Sequence, residues 1–63
     1  MPKVTAIQEA CDETRRRGTF FLRMPTMAHA ISVAARIRTT EHDIVTRITR
    51  VNGWYRVQLR TIG

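Results

Sequence analysis

Residues 44–62, IVTRITRVNGWYRVQLRTI, decide the fold of this 63-residue chain. Two β-rich runs flank Asn52-Gly53, the strongest short-range hairpin signal, and the expected turn is type I′, which needs positive φ at both central residues. With those two residues as the turn, Val51 faces Trp54, Thr49 faces Arg56, Arg47 faces Gln58 and Val45 faces Arg60. The opposite side pairs Ile48 with Val57, Thr46 with Leu59 and Ile44 with Thr61, with Arg50 and Tyr55 beside the turn. Successive strand side chains point to opposite faces, so the hairpin sorts itself into an oily face and an arginine face. The first can be core. The second sets Arg47, Arg56 and Arg60 beside Trp54, a surface suited to an anion.

Upstream of the hairpin, Thr39 to His42 reads as a polar link. Before it, Met27, Ala30, Ile31, Ala34 and Ile37, with Val33 nearby, recur at helical spacing and give a second helix a broad apolar side closed by Arg36 and Arg38. Thr26 is placed to cap that helix. Thr19 to Met24 suits a short strand ended by Pro25, with Phe20, Leu22 and Met24 on one face and Thr19, Phe21 and Arg23 on the other. The first helix opens on Thr5-Ala6-Ile7-Gln8, a capping-box pattern. Ile7, Cys11 and Thr14, widened by Ala6 and Ala10, form its apolar stripe, and Gly18 is a natural left-handed terminator. Arg15, Arg16 and Arg17 fall in its last turn, where the helix dipole favours positive charge. A solvated helix end and a ligand contact are both open readings for these three.

The order is α-β-α-β-β, an α+β chain with one small basic domain over residues 1–63. A strand, helix and strand in succession favour a right-handed crossover. The simplest assembly is a three-stranded sheet with the last strand central, antiparallel to both neighbours, and both helices on one face.

A chain of this length buries only about 60% of the surface that its unfolded form exposes, so association with itself, as a homodimer, or with a partner is the expected support. The single cysteine excludes an internal disulfide, and its place on the apolar stripe makes Cys11 a small buried hydrophobe. Lone-thiol usage, an opening without a hydrophobic signal segment, and no apolar run long enough for a membrane span all lead to an expected cytoplasmic location.

Ten arginines and one lysine against five acids give a net charge of +6. The excess rises along the chain, from +1 over residues 1–18 to +2 over 19–42 and +3 over 43–63. Arginine forks bind phosphates and carboxylates bidentately and stack on flat rings, so nucleic acid or an acidic protein surface is the expected partner. Arginine codons in a GC-rich genome would produce the same excess without any ligand.

Placed on the assembled sheet, the arginine face would display Phe21, Arg23, Arg47, Thr49, Trp54, Arg56, Gln58 and Arg60. Rings and guanidinium groups on an open sheet are what single-stranded nucleic acid needs: bases stack on Trp54 and Phe21, while Arg47, Arg56 and Arg60 hold phosphates, with Arg23 at the edge. The competing reading closes the same face by association through Phe21, Val45, Val51 and Trp54. Enzyme chemistry is not expected. His29 and His42 are isolated from each other and from Cys11, which lacks the clustering of a zinc site, and His42 and Asp43 point to opposite sides of a strand. No phosphate loop, nucleophile elbow or carboxylate pair suggests a cofactor or a reaction.

The run from Phe20 through Met27–Ile37 to Tyr55-Arg56-Val57, about two thirds of the chain, resembles the first half of the peptidoglycan-binding SPOR fold in its strand-helix-strand-strand order. The second helix and fourth strand of that fold have no counterpart here. Size, charge and element order are similar in kind to small phage-encoded proteins that bind host polymerases, nucleases or defence complexes. The expected function is therefore nucleic-acid binding by a phage or mobile-element accessory protein. The alternative is a non-enzymatic inhibitor or adaptor docking on an acidic surface of a host protein.

Overall fold

The computed structural model describes the backbone of residues 4–62 and side chains from Ala6 to Ile62. Its elements are α1 (Val4–Arg17), β1 (Thr19–Met24), α2 (Met27–Thr40), β2 (Ile44–Val51) and β3 (Trp54–Thr61). The expected α-β-α-β-β order stands. The sheet runs β1-β3-β2, with β3 antiparallel to both neighbours. The outer strands are therefore parallel to each other, joined over the sheet by α2, and the hairpin's second strand fills the gap between them.

The hairpin register is the one expected from Asn52-Gly53, from Val51 opposite Trp54 to Ile44 opposite Thr61. The turn type differs. Positive φ is confined to Gly53 (77°) and Gly18 (86°) among the described residues, so Asn52 does not adopt the left-handed conformation that type I′ requires. Negative φ followed by positive φ is the sign pattern of a type II turn, which asks for glycine only at its second central position. Asn52 thereby avoids the steric cost of a Cβ at positive φ.

Two helix boundaries follow from local chemistry. The Thr26 hydroxyl accepts a hydrogen bond from the His29 amide at 3.2 Å and caps α2. That hydroxyl also lies 2.6 Å from His29 Nδ1, which ties the histidine to the helix start. At the other boundary the Gly18 amide donates to the Thr14 carbonyl at 2.7 Å and closes α1 in the left-handed conformation that suits glycine. Because α1 already begins at Val4, Thr5 lies within its first turn rather than before it, and the Thr5 side chain of the expected capping box lies outside the described residues.

Both helices cover one sheet face. Ile7, Ala10 and Cys11 from α1 and Ala30, Val33, Ala34 and Ile37 from α2 meet Met24, Ile44, Val57 and Leu59 from the strands. Alanines on α2 let its axis approach the sheet, and Val57 and Leu59 sit under both helices on the central strand. Each fully buried Val, Leu or Ile removes apolar surface worth about 1.5–3 kcal/mol from water. Thr14 is buried as well, its hydroxyl donating to the Ala10 carbonyl at 2.7 Å so that this hydroxyl is not left unpaired. Cys11 is buried as expected, and burial pushes its thiol pKa up, making it a poor nucleophile.

The apolar arcs of both helices are narrower than their sequences imply. Ala6, Met27 and Ile31 are exposed. A flat sheet surface touches only one stripe of a helix, so the flank of a wide apolar arc stays in water.

Candidate nucleic-acid interface

The face away from the helices is built in cross-strand rows. Register places Val45, Arg60 and Thr19 in one row and Arg47, Gln58 and Phe21 in the next. Thr49, Arg56 and Arg23 form a third row, and Val51 with Trp54 ends the face at the turn. All eight residues expected on this surface are therefore brought together. Each is there because strand periodicity turns it away from the core.

Arg23, Arg47 and Arg60 are exposed, whereas Thr49, Trp54, Arg56 and Gln58 are half-buried. Phe21 keeps 49% of its surface in water and Val45 keeps 43%. The two rings are not bare platforms, however. The Arg23 guanidinium lies 4.6 Å from the Trp54 ring centroid, and that of Arg56 lies 5.1 Å from the Phe21 centroid. Both are cation–π distances. In each pair the arginine and the ring are diagonal neighbours across the β1–β3 boundary. The expectation of open rings for base stacking is corrected accordingly: each ring already carries a guanidinium group within cation–π distance.

The electrostatics of the face are one-sided. Of the five acids, Asp12, Glu13, Glu41 and Asp43 are engaged by Arg15, Arg16 and Arg17, and Glu9 is exposed on α1. Arg15 reaches Glu41 at 2.8 Å and Asp43 at 2.9 Å, binding the end of α1 to the α2–β2 connection. These hydrogen bonds push the Arg15 pKa up and hold the Asp43 carboxyl below the usual aspartate range. The structure thus gives Arg15–Arg17 a clear ion-pairing role away from the sheet. Among the described residues, Arg23, Arg47, Arg56 and Arg60 have no carboxylate within ion-pairing distance. Arg56 Nε is shielded from solvent and also has no hydrogen-bond partner there.

Arg23 and Arg56 stand directly opposite each other. Like charges in that relation destabilise a sheet, and here the two side chains lean apart, Arg23 over Trp54 and Arg56 over Phe21. At the other end of the face a shallow cleft of about 190 Å³ is lined by Val45, Thr46, Arg47, Gln58 and Arg60. Of those residues the sequence pointed to Arg47, Gln58 and Arg60 as ligand contacts and to Val45 as an apolar contact, but not to the cleft, whose walls come from neighbouring strands.

His29 is held at the α2 cap and His42 is exposed in the loop beyond α2. Among the described residues, no three His, Cys, Asp or Glu side chains gather as metal ligands would, and no helix is long and apolar enough to cross a membrane. No protein-family model, curated protein or solved structure matches the chain, so no relative extends the partial SPOR-like element order into a family.

Proposed function

We propose that this protein binds single-stranded nucleic acid on its open sheet face, as a non-enzymatic accessory protein of phage or mobile-element type acting in the cytoplasm. One observation carries the reading: four arginines with no acidic partner among the described residues share a face with two aromatic rings, and two of those arginines lie over the rings. Phosphates pair with guanidinium groups, and bases stack on flat π-surfaces without regard to sequence. A sheet presenting both side by side offers backbone neutralisation and stacking to the same strand. Arginine serves here better than lysine because its plane stacks as well as pairs.

Exposed Phe21 and Val45 on the same face support a second reading, docking on an acidic surface of a host protein with an apolar centre. Capture from host lysate separates the two. Nucleic-acid binding predicts capture that vanishes on nuclease treatment; the docking reading predicts one acidic protein retained after it. Direct titration with short DNA and RNA single strands at low salt completes the test, because electrostatic attraction is then least screened. Absence of binding under those conditions refutes the proposal.

A further inference from the structure

We propose that Arg47, Gln58 and Arg60 form a discrete phosphate subsite that holds one backbone phosphate of the bound strand; this deepens, and rests on, the nucleic-acid reading. The four face arginines are not equivalent. Arg23 and Arg56 are parked on Trp54 and Phe21, and Arg56 Nε is shielded. Arg47 and Arg60 stack on no ring and meet no carboxylate among the described residues, so their forks are uncommitted.

Geometry brings these two forks together. Arg47 is opposite Gln58 and Arg60 is opposite Val45, which makes the two arginines diagonal neighbours on β2 and β3. Diagonal positions lie about 7–8 Å apart, within reach of long side chains, so both guanidinium groups can converge on one anion. Gln58, half-buried on the central strand between Arg56 and Arg60, lines the same cleft and can supply a side-chain amide N–H to it. Val45 forms an apolar wall, which lowers the local dielectric and strengthens charge-assisted hydrogen bonds. A phosphate oxyanion, with several acceptor oxygens, matches two planar forks and one neutral donor. Phe21 shares a row with Arg47 and Gln58, so a nucleotide carried by that phosphate lies beside the Arg56–Phe21 stack.

Titration of nitrogen-labelled protein with inorganic phosphate, followed through arginine Nε–H and glutamine amide resonances, tests the subsite. The Arg47, Arg60 and Gln58 signals should move along one saturating curve, with those of Arg36 and Arg38 on α2 unmoved. Arg47→Lys keeps the charge but loses the fork, and should weaken phosphate binding by about threefold or more. Equal movement of all exposed arginines, unchanged affinity in Arg47→Lys, or a polyglutamate peptide acting as strongly as phosphate would each overturn the assignment. Hexathymidylate separates this failure from that of the wider reading. If it binds while phosphate leaves the three signals unmoved, the subsite is wrong and the nucleic-acid face stands. If it does not bind at low salt, both are wrong.

Discussion

The guanidinium of Arg23 lies over the ring of Trp54, 4.6 Å from its centroid, joining an edge strand to the first residue of the central one. The contact holds a positive charge against the only tryptophan, on the residue that pairs with Arg56 in the β1–β3 register. Attraction to the ring draws Arg23 toward the turn while Arg56 leans the other way over Phe21, so the two opposed charges diverge.

A double-mutant cycle over Arg23→Ala and Trp54→Ala, measured by denaturant unfolding, should give a coupling energy of about 0.5–1 kcal/mol, the range for an exposed cation–π pair. Coupling indistinguishable from zero would show that the stack contributes nothing in solution.

Affinity for a single strand should fall with salt. If all four face arginines neutralise phosphates, log K against log salt should slope by about −2.8, four contacts at about −0.7 each. Replacing Arg47 and Arg60 with Ala should reduce the slope by about 1.4. Trp54→Ala should instead weaken binding by about 1–3 kcal/mol with little change in slope, because lost stacking releases no counterions. An unaltered slope in the arginine double variant would place the phosphates elsewhere.

Gly53→Val should destabilise the protein by about 1–3 kcal/mol, the cost of a β-branched residue at positive φ. Nothing within 4 Å would obstruct an added Cβ, so the penalty is conformational rather than steric crowding. Gly53→Asn should cost less, since asparagine tolerates the left-handed region. Thermal melts of the two variants check the ranking. Equal stability of Val and Asn at this position would argue against the turn.

Asp43 gives the acid limb of stability its sign. Its carboxyl pKa is lowered by the hydrogen bonds from Arg15, so the unfolded chain binds the proton first as pH falls. The contribution is complete above the ordinary aspartate value of 3.8, declines below it, and is gone once pH passes the lowered folded value. Arg15→Met should flatten this part of a stability–pH curve while leaving its shape unchanged between pH 6 and 8. Parallel acid limbs in the two proteins would show that the pair does not persist in solution.

Self-association is expected in the micromolar range, supported by a small core and by exposed Phe21 and Val45 on one face. Sedimentation should show Phe21→Ser shifting the protein toward monomer, and a bound oligonucleotide doing the same if both compete for that face. A monomer at all concentrations would leave the nucleic-acid reading intact and remove the dimer.

The hairpin register and both its faces are legible in residues Ile44 to Ile62, because strand periodicity is two and a two-residue turn leaves no slack in pairing. Gly18 and Thr26 likewise announced a helix end and a helix start through chemistry confined to a few neighbouring residues. The turn type became visible in the folded backbone alone, since Asn52-Gly53 is compatible with more than one two-residue turn and here Gly53 but not Asn52 takes positive φ. Only the tertiary structure revealed the Arg23–Trp54 and Arg56–Phe21 stacks, because the β1–β3 register is set by core contacts between segments far apart in the chain. The partners of Arg15, Glu41 and Asp43, were hidden for the same reason. The exposure of Met27 and Ile31 has the same origin: periodicity shows how wide a helix's apolar arc is, while the sheet beneath it decides how much of that arc is covered.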